Sequence, residues 1–138
     1  MNRLSTRQRT LAGEVSFSGY GVHSAHPVTM IIGPAPADSG YLIRREVEGT
    51  MSDAVPVTRD RVSRTTLCTT LDLGNSVSVA TVEHVVSALS GMGIDNALIT
   101  LDGPECPILD GSAHPFAAAM LERGFEIQPA AKKFIKVI

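Results

Sequence analysis

The stretch RTTLCTTLDLGNSVSVATVEHVVSALSGM, residues 64–92, contains the pattern that decides the fold. Residues 64–73 and 76–80 are rich in Thr, Val and Leu, and the Gly-Asn pair between them is typical of a turn. After Thr81 the apolar residues recur with the spacing of one helix face: Val82, Val85, Val86, Leu89 and Met92. Glycines at 91 and 93 end this pattern. The stretch therefore predicts a β-hairpin followed by a helix of about three turns.

The flanking sequence adds more strands and a second helix. Strand-like runs occupy residues 9–17, 27–33, 41–47, 55–57, 94–101 and 134–138, and a second helix is predicted from a cap at Ser112 to Gly124. The strands outnumber the helices, and no long crossover separates the first strands. This order predicts an α+β fold, a two-layer sandwich in which a mixed or antiparallel sheet carries two helices on one face.

The composition limits the classes of function. The chain has 138 residues with 43% hydrophobic and 19% charged content, enough for one core. A net charge of −2, no basic run and an aromatic content of 4% argue against a nucleic acid partner. Neither a signal peptide nor a membrane-spanning segment is recognisable, so a cytoplasmic protein with reduced Cys68 and Cys106 is expected.

The pair Glu83 and His84 lies at the predicted helix start, off the apolar stripe. Neighbouring side chains on a helix point about 100° apart, so the imidazole could bind a metal while the carboxylate reaches a metal-bound water. The alternative is structural: with Thr81 as the cap, a carboxylate in the first turn is favoured by the helix dipole, and a lone His is commonly a surface residue. The residues by themselves leave both interpretations open.

A series of short motifs carries a family resemblance. In order along the chain they are QRTL at 8–11, GYGVHS at 19–24, PAPA at 34–37, LCT at 67–69, TVEH at 81–84, GIDN at 93–96, PILDGS at 107–112 and AKKF at 131–134. This series resembles the N-terminal half of the zinc-dependent UDP-3-O-acyl-N-acetylglucosamine deacetylases of lipid A biosynthesis. The resemblance covers essentially the whole chain from Gln8 onward.

The resemblance implies a role for several side chains. It makes Glu83 the catalytic base that acts on a zinc-bound water and His84 a zinc ligand, with a UDP-linked acylated glucosamine as substrate. His23, Thr66 and Cys68 are expected to contact this substrate. For Leu67, packing in the core is the expectation, and the DGS motif at 110–112 is expected to be structural.

The same resemblance implies that residues are missing. In the family the other zinc ligands come from a His-x-x-x-Asp motif in a second domain, and this chain ends at Ile138. We therefore predict one domain over residues 1–130, with 131–138 as the start of a second domain or a C-terminal strand. His23 and His26 are alternative partners for His84 at a metal, but a turn flanked by Gly and Pro is more typical of surface residues.

Two interpretations of the whole chain follow. In the first, the chain is the N-terminal half of a zinc-dependent amidohydrolase that deacetylates UDP-3-O-acyl-N-acetylglucosamine; it is inactive alone, and a second chain or a second copy supplies the rest of the site. In the second, it is a non-catalytic module that binds a sugar nucleotide, an acyl chain or a protein partner. Two pairs of basic residues, Arg44-Arg45 and Lys132-Lys133, are expected to be solvated, and we assign no function to them.

Overall fold

The computed structural model describes residues 6–138, which form eleven strands and two α-helices. The strands are β1 Arg7–Leu11, β2 Val15–Tyr20, β3 Pro27–Pro34, β4 Tyr41–Val47, β5 Thr50–Met51, β6 Val55–Pro56, β7 Val62–Arg64, β8 Thr70–Gly74, β9 Val77–Val79, β10 Ala97–Leu101 and β11 Phe125–Ala131. The helices are α1 Glu83–Gly91 and α2 His114–Arg123. The predicted α+β class is confirmed.

The main sheet is mixed, as predicted. Its strands follow the order β2-β3-β10-β4-β5, with β6 also paired to β4. The central strand β10 runs antiparallel to β3 and parallel to β4. Alternate residues of β10, namely Ala97, Ile99 and Leu101, are buried in the core. Successive side chains of a strand point to opposite faces, so these three residues mark the face of the sheet that packs on the core.

Both helices pack against one core. They contact each other, and α2 also contacts β2 of the main sheet. The buried residues of α1 include Val85 and Leu89, and those of α2 are Phe116 and Met120. The rings of Phe116 and Phe17 meet edge to face, with centroids 5.0 Å apart. The predicted pair of helices on one face is thus confirmed.

The described residues also form two small sheets. Strands β7, β8 and β9 form one antiparallel sheet, and β1 pairs antiparallel with β11 in the other. The sequence did not predict β11, whose partner lies more than a hundred residues away in the chain. It predicted a strand at 134–138 instead, which is wrong: those residues form no strand and Phe134, Ile135 and Val137 are exposed.

The two basic pairs differ from the prediction in part. Lys132 is not solvated, since its Nζ lies 2.6 Å from Asp95 Oδ2 and donates to the Gly93 carbonyl. Arg45 is half-buried and donates to the Ser78 carbonyl, and burial lowers its pKa. Lys133 forms an exposed pair with Asp38. No helix within residues 6–138 is long and apolar enough to cross a membrane.

A buried amide, Asn96, joins the β1–β11 sheet to the main body. Its Nδ2 donates to Gln8 Oε1 at 2.8 Å and to Gln128 Oε1 at 2.7 Å, while its Oδ1 accepts the Gly40 N–H. The Thr10 hydroxyl donates to the Asn96 carbonyl at 2.8 Å. The side chain of Asn96 therefore satisfies polar groups from three separate segments.

Replacing Asn96 by Ala is expected to lower the free energy of unfolding by about 2–3 kcal/mol, because buried partners lose their hydrogen bonds. Urea denaturation followed by circular dichroism measures this loss. Ser90→Ala, at an exposed position of α1, is the control and should change stability by less than about 0.5 kcal/mol. Equal effects of the two substitutions would contradict the role given to Asn96.

Candidate functional site

A cleft of about 610 Å³ brings together the three residues predicted to bind substrate. His23 reaches it from the turn between β2 and β3, and Thr66 and Cys68 from the loop between β7 and β8. Ser78 and Ala80 line it from the segment that leads into α1, and Glu105 from the loop after β10. A volume of this size lies in the usual range for small-molecule sites.

The start of α1 differs from the predicted capping. The cap position is Val82, without a side-chain hydrogen bond to the helix, so Thr81 is not the cap. The Thr81 hydroxyl donates instead to Glu105 Oε1 at 2.7 Å. The backbone of Thr81 is left-handed, with φ of 57°, which is a strained conformation for a β-branched residue.

Glu83 is the first residue of α1; it does not itself line the cleft but is bonded to a loop that does. Its Oε2 accepts the Thr69 N–H at 3.1 Å, and the Val82 N–H donates to the Thr69 carbonyl at 3.4 Å. Thr69 lies between Cys68 and Thr70, which both line the cleft. The predicted base is thus attached to the loop that carries two of the predicted substrate contacts.

His84 follows on α1 and is half-buried. Within residues 6–138 no hydrogen bond or ion pair engages its imidazole, while its carbonyl accepts the Ser87 hydroxyl. The same residues contain no group of three or more His, Cys, Asp and Glu side chains that could hold a metal. His23 and His26 accordingly do not join His84 in such a group.

Within residues 6–138 the ligands for a zinc ion are incomplete. A zinc site in a protein ordinarily has three or four protein ligands. The described part of the chain offers His84 as one donor with a free imidazole and does not by itself fit a complete zinc site.

Glu105 is a site residue that the sequence reasoning missed. It is only 2% exposed, and its carboxylate accepts the Ser24 N–H at 2.8 Å, the His23 N–H at 3.2 Å and the Thr81 hydroxyl. Burial raises the pKa of this carboxyl, but the hydrogen bonds from Thr81, Ser24 and His23 outweigh it and hold the pKa below its usual value. An acidic residue between two prolines, at 104 and 107, was the available signal, but its partners lie 24 to 82 positions away in the chain.

The prediction for Leu67 was wrong. This side chain is 84% exposed rather than packed in the core, and it lines the cleft. Its backbone is left-handed, with φ of 62°, in the loop that interrupts the strand predicted over 64–73. The cleft therefore has an exposed apolar side chain on its rim.

Both cysteines are free thiols, as predicted. Cys68 is half-buried, with its Sγ 3.8 Å from the Thr70 hydroxyl. Cys106, next to Glu105 in the chain, is buried, and burial raises its pKa, so this thiol stays protonated at neutral pH.

Gly21 makes room for the Glu105 carboxylate. A Cβ at this position would collide with Glu105 Oε2 and with the Ser24 hydroxyl. We expect Gly21→Ala to destabilise the fold by about 1–3 kcal/mol, since a buried, hydrogen-bonded carboxylate has to move. Thermal or urea unfolding measures this change.

Gly91→Ala is the matched control for Gly21→Ala. Nothing lies within 4 Å of a Cβ built at Gly91, at the end of α1, so this substitution should be neutral or stabilising by up to about 1 kcal/mol. A stable Gly21→Ala protein with unchanged His23 and Ser24 amide resonances would show that the close approach is not required.

Comparison with known proteins gives one family. The family model described as UDP-3-O-acyl N-acetylglycosamine deacetylase matches residues 8–138. A protein of Shewanella piezotolerans named UDP-3-O-acyl-N-acetylglucosamine deacetylase is 46% identical over 132 residues, which cover 94% of the chain and 42% of the relative.

Relatives of the same name in other bacteria agree. One from Idiomarina loihiensis is 45% identical over 131 residues, which cover 95% of the chain, and one from Anaeromyxobacter dehalogenans is 46% identical over 133 residues, which cover 96%. In both, as in the Shewanella protein, the chain spans 42% of the length of the relative.

Proposed function

Because the chain belongs to the UDP-3-O-acyl N-acetylglycosamine deacetylase family and corresponds to its N-terminal part, we propose that it supplies the catalytic base and one metal ligand of such an enzyme. The base is Glu83 and the ligand is His84. The reaction is hydrolysis of the acetamide of a UDP-linked 3-O-acylated N-acetylglucosamine. The supporting observation is the hydrogen bond of Glu83 to Thr69, which lies between Cys68 and Thr70 in a loop of the cleft that His23 and Thr66 also line.

The chemistry proposed for Glu83 follows from its hydrogen bonding. Amide hydrolysis requires a base within hydrogen-bond reach of the attacking water. One carboxylate oxygen of Glu83 is held by the Thr69 N–H, and no donor within residues 6–138 engages the other. The held oxygen fixes the orientation of the group, and the second is available to accept a proton and pass it to the leaving amine.

The metal proposed for the complete site is zinc. When bound, zinc lowers the pKa of a bound water and polarises the amide carbonyl. The imidazole of His84 is free to donate to it, and the remaining ligands have to come from outside residues 6–138. In this proposal residues 1–130 form one domain, and 131–138 lead toward the part that completes the site. A second chain or a second copy is the other source of those ligands.

Substrate binding is assigned to the cleft. The exposed side chain of Leu67 and the half-buried Cys68 offer an apolar surface to the acyl chain, and His23 and Thr66 offer polar atoms to the sugar or its linkage. The UDP group of the substrate is charged, and charged groups do not cross a bilayer unaided. The proposal therefore places the reaction in the cytoplasm, the predicted location.

A hybrid enzyme tests the proposal. In this hybrid, residues 8–138 replace the matching segment of the Shewanella piezotolerans relative, with which they share 46% identity. We expect the hybrid to release acetate from UDP-3-O-acyl-N-acetylglucosamine and to lose this activity with Glu83→Gln or His84→Ala. A folded hybrid without deacetylase activity would contradict the proposal and favour a non-catalytic binding module.

A further inference from the structure

The carboxylate of Glu105 lies between the two elements that carry the candidate catalytic and binding groups. On one side it accepts the backbone N–H groups of His23 and Ser24, and on the other the hydroxyl of Thr81. Thr81 stands two positions before Glu83. One buried side chain therefore connects the His23 turn with the start of α1.

The His23 turn is built around this carboxylate. The turn is closed by backbone bonds of 3.0 Å from Gly21 N–H to the His26 carbonyl and from Ala25 N–H to the Gly21 carbonyl. These bonds leave the His23 and Ser24 N–H groups directed at Glu105, and the absence of a side chain at Gly21 lets the carboxylate approach. Hydrogen bonds to a charged acceptor are about twice as strong as neutral ones, so the carboxylate sets the position of the turn.

The start of α1 is held from the same side. The Ala80 N–H donates to the Pro104 carbonyl at 2.9 Å, and the Cys106 N–H donates to the Ala80 carbonyl at 3.0 Å. This parallel bridge keeps Glu105 beside residue 80. The Thr81 hydroxyl then bonds to Glu105, which offsets the strain of its left-handed backbone.

We propose that Glu105 is a positioning residue that fixes the His23 turn, which lines the cleft, relative to Glu83 and His84 at the start of α1. The roles of those three residues rest on the proposed function. The positioning itself is a property of the chain and can be measured without substrate or metal.

Nuclear magnetic resonance of the metal-free 138-residue chain tests this with Glu105→Gln. A neutral amide is a weaker acceptor, so we expect hydrogen exchange at the His23 and Ser24 amides to accelerate by roughly tenfold or more. The ring resonances of His84 should shift in the same protein. Glu126→Gln, which removes an exposed carboxylate from β11, should change neither observable.

A residue that only stabilises the fold would behave differently. Glu105→Gln would then lower the unfolding temperature while the His84 ring resonances stay in place, and this result would overturn the proposal. Unchanged exchange at His23 and Ser24 would overturn it as well.

Two variants of Thr81, at the start of α1, test the same coupling and serve if Glu105→Gln does not fold. Thr81→Val removes the hydroxyl that bonds to Glu105, whereas Thr81→Ser keeps it. We expect Thr81→Val to move the His23 and Ser24 amide resonances as well as those of His84, and Thr81→Ser to restore them. Changes confined to residues 81–84 in Thr81→Val would show that Glu105 does not couple the two elements.

The two proposals fail separately. If the hybrid enzyme is inactive but the coupling between His23 and His84 is observed, the catalytic assignment is wrong and the positioning stands. If the hybrid is active without that coupling, the catalytic assignment stands and Glu105 loses its role.

Discussion

Replacing Glu83 by Gln in the hybrid enzyme is expected to lower kcat by about 100- to 10,000-fold, the usual contribution of a positioned general base. The amide of Gln can still accept the Thr69 N–H at its oxygen, so the link between α1 and the cleft loop is kept. Only the capacity to take a proton is lost. Steady-state measurement of acetate release gives kcat and KM, and KM should change little.

Glu122→Gln is the matched control for this experiment. Glu122 is an exposed carboxylate of α2, and its replacement should leave both constants unchanged. If Glu83→Gln and Glu122→Gln have the same kcat, Glu83 is not the base.

Phe116→Ala is expected to lower the free energy of unfolding by about 3–5 kcal/mol, the range for removing a large aromatic side chain from a core. Phe116 is 0% exposed, and its ring packs edge to face on Phe17 of β2, so α2 would lose this ring contact with the sheet. Urea denaturation monitored by circular dichroism measures the loss.

Leu121→Ala is the control for Phe116→Ala on the same helix. Leu121 is 64% exposed, so its truncation should cost less than about 1 kcal/mol. Similar costs for the two substitutions would show that α2 does not depend on Phe116.

The parts of the fold that the sequence predicted correctly have local signals. The apolar spacing from Val82 to Leu89 gives α1, and the alternating residues of β10 give the central strand. The pairing of β1 with β11 has no such signal, because the FEIQPAA sequence of β11 contains a proline and its partner is distant in the chain. Tertiary hydrogen bonds, such as those of Asn96 and Gln128, determine that small sheet.

In the candidate site, too, residues with a local sequence signal were predicted and residues placed by long-range contacts were not. The TVEH motif made Glu83 and His84 the predicted base and metal ligand, and His23, Thr66 and Cys68 lie on one cleft. The left-handed backbone of Leu67 and Thr81 was not predictable, because β-branched and large apolar residues rarely adopt it. At Thr81 this backbone is accompanied by the hydrogen bond of its hydroxyl to Glu105, which no local pattern predicts. Glu105 was missed for a related reason, since its partners come from two other segments of the chain.

Zinc affinity of the hybrid enzyme, measured by competition with a chelator in the wild-type and His84→Ala forms, tests the central claim most directly. If His84 is a ligand of a shared site, His84→Ala should weaken zinc binding by more than about 100-fold, since it removes one of the few protein ligands of the metal. Equal zinc affinity in the two forms would contradict the assignment of His84 and with it the metal site proposed beside Glu83.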